Sequence, residues 1–384
     1  MRSRLVFCLV ATTGILTGVT PITANAAGSG CVHPQGVYAK GTPWAQNLID
    51  AARIWPLSTG SGVTVAVLGT GVDADNAQFA PGAVKPMISS TGGIDGAADC
   101  AGFGTFAAGI VAAQPNSSTT FAGIAPGAHI LPVRFTDTGP GNDQGADPVA
   151  LASAITSAVG AHASVILVAV PATSDDPALR AAVHAANQAG DVVVAPAIGG
   201  QSGSVSYPAG DPGAISVAAL NQSGGAVKAE SGAIAAPGAD LVGLAANGGG
   251  AVGQVWSLQD PSFASAAYVA GVVALMRAYP PLSGSSPEQI ANRLTATASK
   301  PAGNGAGIVN AYAAVTAELP AQNGKSVASN RPVQPAAAAN ASGPADRIAG
   351  LFAVLGVLLA GVIVVAARSI RRAKSRGWRV GRIS

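Results

Sequence analysis

Charge is the scarcest commodity in this 384-residue chain. Only 10% of residues are Asp, Glu, Lys or Arg, against 49% hydrophobic, and the mean hydropathy is +0.40. So apolar a composition is unusual for a purely soluble protein and directs attention first to membrane segments. Histidine is nearly absent: His33, His129, His162 and His184 are scattered along the chain, at spacings that assemble no metal site. Three cysteines exclude a disulfide-dense scaffold. One of them, Cys8, lies in the apolar N-terminal stretch, which leaves Cys31 and Cys100 as an even pair.

The formal net charge of +3 conceals an asymmetry. Setting aside Arg2, Arg4 and the seven cations after position 367 leaves 12 basic against 18 acidic residues, a body of about −6. That balance argues against nucleic acid as a partner and against a basic face resting on anionic lipid.

Both ends of the chain carry targeting signals. Arg2 and Arg4 precede the apolar run Leu5 to Leu16, and Ala24-Asn25-Ala26 fits an A-x-A cleavage site, so residues 1–26 read as a secretory signal peptide. Residues 348–367 are an uncharged run that as a helix spans roughly 30 Å, about one hydrocarbon core. Residues 368–384 hold Arg368, Arg371, Arg372, Lys374, Arg376, Arg379 and Arg382 and no acid. Such a tail belongs on the cytoplasmic side, which places the main body outside the membrane in a single-pass type I topology. Residues 320–346, rich in Pro, Ala, Asn and Ser, read as the linker to that span. In an oxidising location Cys31 and Cys100 are expected to form a disulfide.

The body alternates strands and helices. An arm, residues 27–60, holds one helix, Pro43 to Trp55, with Trp44, Leu48, Ala52 and Trp55 on a shared face. V-T-V-A-V-L, opening at Val63, is a buried strand that ends in a tight G-T-G turn. Strands at Ser164 to Val170 and Asp191 to Ala197 alternate with helices at Pro148 to Ala161 and Asp175 to Ala189, and Ala214 to Leu220 adds another strand. The pattern predicts an α/β fold with a mostly parallel sheet covered on both faces. Phe263 to Tyr279, almost uncharged, is expected to be the central helix, and Pro287 to Ala298 opens with Ser286 as its cap.

Three stretches carry a family resemblance. V-T-V-A-V-L-G-T-G-V resembles the aspartate block V-x-V-A-V-I-D-T-G-V of subtilisin-like (S8) proteases. G-F-G-T-F-A-A-G-I-V-A-A resembles their histidine block, G-H-G-T-x-V-A-G-I-I-A-A, and S-F-A-S-A-A-Y-V-A-G-V-V-A-L their serine block, G-T-S-F-A-A-P-Y-V-A-G-V-A-A-L. Three blocks in order make the resemblance specific. It implies a subtilisin-like three-layer domain over residues 61–319. The signal peptide, the cysteine arm, Cys100 just before the histidine block, the linker and the single span make the chain similar to the mycosins. These are membrane-anchored subtilisin-like proteases associated with type VII secretion in the actinobacterial cell envelope. The resemblance implies no cofactor and no metal, and it implies the membrane and type VII secretion components as partners.

The catalytic positions depart from the pattern. Gly69 stands where the family has its aspartate and Phe103 where it has its histidine. Gly199, in V-V-V-A-P-A-I-G, stands at the oxyanion asparagine. Ser262 matches the nucleophile if one residue is inserted after it, whereas an ungapped alignment puts Phe263 in that slot. A serine nucleophile needs a base to take its proton, a carboxylate to orient that base and a donor for the oxyanion. Three of those four parts are missing, which predicts a pseudoprotease that keeps the shape for a structural or binding role. Two alternatives stand beside it: an active serine endopeptidase with a non-standard base, and a decoy that holds an extended peptide by strand addition. Asp73 and Asp75 are expected to project to solvent. D-A-D-N lacks the loop glycine and glutamate of a calcium site. Ser262 has a plainer role available as the N-cap of the central helix.

Overall fold

Six consecutive buried residues, Thr64–Gly69, form strand β1, and the rest of the sheet is arranged about it. The structure is a computed structural model that describes residues 31–34, 36–38, 40–90, 98–140, 145–199, 204–227, 232–248, 255–258, 261–301 and 307–319. The chain divides into two units, Met1–Leu319 and Pro320–Ser384. The signal peptide, linker, span and tail expected from the sequence lie outside the described residues. Among those described, no helix is long and apolar enough to cross a membrane.

After β1 come β2 (Ile88–Ser89), β3 (His129–Arg134), β4 (Val165–Val168) and β5 (Val192–Pro196). A two-stranded ribbon follows, β6 (Ile198–Gly199) with β7 (Ser204–Val205). Next are β8 (Ala214–Leu220), β9 (Ile234–Pro237), a second ribbon of β10 (Leu241–Leu244) and β11 (Val255–Leu258), then β12 (Ser299–Pro301) and β13 (Gly307–Ile308). Nine strands share the main sheet in the order β12-β13-β9-β8-β5-β4-β1-β3-β2. All its neighbours pair parallel except β12 with β13.

The helices are α1 (Trp44–Ile49), α2 (Phe103–Ala112), α3 (Pro148–Gly160), α4 (Pro177–Ala189), α5 (Ser265–Ala278), α6 (Pro287–Ala296) and α7 (Ala311–Thr316). Alternation along β1 sorts its side chains between two cores. Val65 and Val67 join the cluster that includes α2 and α5, and Ala66 and Leu68 join the one that includes α3 and α4. The result is three layers. Every residue of α5 from Ser265 to Met276 is buried, as its lack of charge predicts. Local signals set the helix starts: Asp147 and Asp176 each accept a backbone N–H ahead of a first-turn proline, and Ser286 with Gln289 forms a capping box.

The arm helix is a correction. A single helix over Pro43 to Trp55 does not form, because Asp50 adopts a left-handed conformation (φ 49°) that stops α1 at Ile49; a 3-10 turn, Ala51–Arg53, follows. The break dissolves the expected apolar stripe. Ala45 and Ile49 are buried and Leu48 is exposed. The two tryptophans anchor separately, the indole N–H of Trp44 donating to Ala239 O (3.1 Å) and that of Trp55 to Ile124 O (3.0 Å).

Candidate functional site: an aromatic pair at the sheet's switch point

Strand order reverses at β1, with β3 on one side and β4 on the other. In open α/β sheets the crevice beyond the carboxyl ends at such a point is where sites form. Gly69 is the last residue of β1 there. A Cβ on it would sit 3.4 Å from Ala169 Cβ and Val170 Cγ2, ordinary contact distance. The slot is open to a side chain, and the chain supplies none.

Phe103 opens α2 beside this strand end. Gly102 turns the chain through a left-handed conformation (φ 80°) just before it. Gly104 lets the helix close on the β1 turn, since an added Cβ would lie 1.9 Å from Gly71 O. A buried carboxylate, Asp99, organises the whole turn. Its Oδ1 accepts from the Thr70 hydroxyl (2.7 Å) and Gly102 N–H (2.8 Å), and its Oδ2 from Thr105 N–H (2.7 Å) and the Thr105 hydroxyl (2.6 Å). Burial pushes the Asp99 carboxyl above its ordinary range, and these four donors pull it back. Thr70 passes the link on by accepting from Gly104 N–H (3.1 Å).

This network was not singled out in the sequence, although its signal is present: an aspartate four residues ahead of a G-x-G-T helix start. It also corrects the placement of Asp73. That residue is half-buried rather than projecting: its N–H donates to Thr105 Oγ1, and its Oδ2 accepts from Asn247 N–H (2.7 Å). Asp75 is exposed, as expected.

Asn247 in turn ties down the arm, its side-chain amide donating to Val32 O (3.0 Å) and Asp99 O (3.1 Å). Cys31 and Cys100 are disulfide-bonded across a sequence separation of 69. Closing a loop of that length stabilises by about 4 kcal/mol in the chain-entropy model. Cys31→Ser is expected to lower stability by an amount of that order, read as a fall in the urea midpoint; an unchanged midpoint would show that the arm is held by other contacts.

The ring of Phe103 meets Phe263. Their centroids are 5.2 Å apart with planes at 73°, an edge-to-face contact, and the ring of Phe106, one turn further along α2, lies 6.2 Å from Phe263. Gly139 rests on the Phe103 ring so closely that a Cβ there would come within 1.9 Å of Cε2. Phe263 is the middle residue of a 3-10 turn, Ser262–Ala264, that leads into α5. Ser262 opens this turn and is half-buried. It does not cap the helix: the N-cap position of α5 is Ala264, and no side chain caps it. β6, which ends at Gly199, runs beside the same turn. The four positions singled out in the sequence thus gather at one end of the sheet, and of the two candidates for the nucleophile slot it is Phe263 whose ring abuts Phe103.

No imidazole belongs to this gathering. His129 pairs with Thr64 at the amino end of β1, roughly 16 Å of strand from Gly69. His162 precedes β4 at that same far end, and His33 and His184 are exposed, on the arm and on α4. Among the described residues no cluster of three or more His, Cys, Asp or Glu forms. The two rings in contact are hydrocarbon, and the Asp99 carboxylate four residues before Phe103 already accepts four hydrogen bonds.

The subtilase (peptidase S8) family profile matches residues 60–327. Mycosin-3 of Mycobacterium tuberculosis is 33% identical over 358 residues, covering 75% of each chain. The chain belongs to the subtilase family, in its mycosin branch. Among solved structures, this subtilase resembles MycP1 from Mycobacterium smegmatis at TM-score 0.61 and 28% identity, over 76% of this chain and 89% of that one. A chain in the periplasmic assembly of the ESX-5 inner membrane complex matches at TM-score 0.61 and 26% identity, over 76% and 89%. The subtilisin-like fold expected from the three sequence blocks, and the mycosin branch expected from the cysteine arm and the flanking segments, agree with these matches.

Proposed function

We propose that this chain is a catalytically silent mycosin, a subtilase whose folded surface, rather than its chemistry, serves a type VII secretion membrane complex. The observation that carries the reading is the Phe103–Phe263 contact: two phenyl rings pack together where a base and a nucleophile would have to meet. Gly69 and Gly199 support it, because neither can orient a base or donate a side-chain hydrogen bond to an oxyanion. The likeness to a chain of the ESX-5 periplasmic assembly supports the secretion role. Residues 1–26 as a cleaved leader, residues 348–367 as a span and the basic residues after it complete the reading: an extracytoplasmic domain on a single-pass anchor, with its C-terminus in the cytoplasm.

A scaffold is favoured over a peptide-holding decoy by the segment just after β4. Ala172 exchanges both backbone hydrogen bonds with Tyr207 (3.0 and 2.9 Å), and Pro171 O on the other edge accepts from Ala146 N–H (3.0 Å). This stretch is already paired on both sides, which leaves no edge for strand addition. The deciding experiment is labelling of the purified full-length protein with a fluorophosphonate probe, alongside a casein digestion. No label and no cleavage are expected. Labelling that disappears in Ser262→Ala would overturn the proposal in favour of an endopeptidase with an unrecognised base.

A further inference from the structure

Helix α4 is flanked by two buried carboxylates whose bonding is incomplete. Asp191 follows Gly190, the residue that ends the helix, and Asp211 lies on the segment between β7 and β8. Asp191 is 8% exposed and Asp211 6%, and in each the Oδ2 atom is buried without a hydrogen bond. The segment carrying Asp211 is fastened to α4 at Asn187, whose Nδ2 donates to Gly213 O (3.1 Å). The fit there is close, since a Cβ on Gly213 would come within 2.2 Å of that Nδ2. On its inner side α4 buries Leu179, Ala182, Val183 and Ala186 in the same cluster as Val193 and Ala195 of β5.

A buried carboxylate oxygen with no donor has lost its hydration and gained nothing in exchange, whereas the protonated carboxyl is neutral. The surrounding charges do not remove that cost. Asp191 is faced by Arg277 of α5 and by His162 in the turn before β4, both of which favour its ionised form. Neither forms an ion pair with it: among the described residues the ion pairs are Arg134–Asp137 and Arg180–Asp175. Arg277 instead donates Nη1 to Ser285 O (2.5 Å) and Nη2 to Gly190 O (2.6 Å). To the depression around Asp191, α4 and α6 contribute Asn187, Gln188, Ala189, Pro287 and Gln289, all neutral. Asp211 is faced by Asp175, which repels its charge, and by Arg180, which attracts it, and those two are already paired with each other. Its own segment, residues 206–213, carries no other charge, and Tyr207 is the one other titratable residue there. Burial outweighs the attractions and raises both carboxyls to about 6.

We propose that Asp191 and Asp211 make an acid-tightened clamp on α4: protonation of the two carboxyls seats the helix more firmly on β5, and their ionisation loosens it. The folded carboxyls hold their protons more tightly than the unfolded ones, whose ordinary value is near 4. Stability is therefore lost as pH rises from about 4 through 6, the reverse of ordinary acid denaturation. The inference is independent of the pseudoprotease reading, since it uses none of the same residues.

The test is urea unfolding of the full-length protein at pH 7.5 and at pH 5.0. Hydrogen exchange along α4, corrected for the intrinsic effect of pH, is read at the same two values. Each carboxyl is expected to raise the ratio of folded to unfolded protein about tenfold at pH 5.0 relative to pH 7.5, about a hundredfold for the pair. Protection of the α4 amides is expected to rise over the same interval. Asp191→Asn/Asp211→Asn, which cannot ionise at either position, is expected to flatten both responses. A parent whose stability is unchanged or falls between pH 7.5 and 5.0, or that gains stability with α4 protection unchanged, would overturn the proposal without recourse to a variant. A double variant that keeps the whole gain would overturn it too.

Discussion

Asp99→Ala is expected to cost about 4 kcal/mol or more, one of the largest single-residue effects available in this domain. The carboxylate is fully buried and accepts four hydrogen bonds from three residues on two segments. Hydrogen bonds to a charged acceptor contribute about 1.5–3 kcal/mol each when broken singly, and they are not additive. Truncation leaves two backbone N–H groups and two hydroxyls without an acceptor in a site too enclosed for water to serve all four. Asp99→Asn is expected to be almost as damaging, because an NH2 group would then face donors. The damage should spread along named links: through Thr70 to Gly104 N–H, through Thr105 to the Asp73 backbone, and through the Asp99 carbonyl to Asn247. Urea unfolding of the full-length protein checks the magnitude. Hydrogen exchange at Gly102, Gly104 and Thr105 checks the route, with loss of protection expected first at these amides. A near-neutral Asp99→Asn would mean that the aspartate is replaceable and that the turn is held by the glycines alone.

Contacts between distant segments such as these are the part of the fold that is not legible in the sequence. The parallel sheet, its order of strands and helices and the central α5 were legible because each rests on a local pattern: a run of β-branched residues, a proline after an aspartate, an uncharged apolar stretch. The arm was misread because its periodicity is genuine while its continuity is not. Nothing local to residues 43–55 announces that Asp50 turns left-handed, and the tryptophans that seemed to define one face are held by carbonyls at Ala239 and Ile124, far away in the chain. Asp73 was placed in solvent for the same reason, since its partner Asn247 is 174 residues distant.

The site itself was legible as positions but not as an arrangement. Gly69, Phe103 and Ser262 are legible in three short blocks and Gly199 in a fourth stretch, Val192 to Gly199, yet the register of the third block stays open between Ser262 and Phe263. Packing shows which ring meets Phe103: Phe263, on the 3-10 turn, meets it edge to face, and Phe106 of the same helix also lies close to Phe263. The side chains at 103 and 263 are therefore physically coupled. An imidazole in one slot facing a phenyl in the other would bury a polar ring against hydrocarbon, whereas two phenyl rings satisfy each other.

Rebuilding the chemistry is accordingly expected to fail one residue at a time. Phe103→His should leave casein hydrolysis at background, because Gly69 cannot hold the imidazole's tautomer and no hydroxyl stands opposite in the Phe263 slot. Members of a triad act as a unit, and losing one costs about as much as losing several, up to on the order of 10⁶ in turnover. Phe263→Ser alone should also be silent, and it is expected to destabilise by about 3–5 kcal/mol, since it empties a buried ring site in contact with Phe103 and near Phe106. Gly69→Asp is sterically admissible, because its Cβ would meet Ala169 and Val170 at contact distance rather than clash, but without a base beside it the buried carboxylate is unpaired and costly. Only the combination Gly69→Asp, Phe103→His, Phe263→Ser and Gly199→Asn restores a carboxylate, base, nucleophile and oxyanion donor together. It is the one variant in which fluorophosphonate labelling is expected, provided that circular dichroism shows it folded. The informative reversal is the simplest variant. Turnover rising above background in Phe103→His alone, and falling again in Phe103→His/Ser262→Ala, would show that Ser262 is a competent nucleophile lacking only its base, and the silent-mycosin proposal would fall with it.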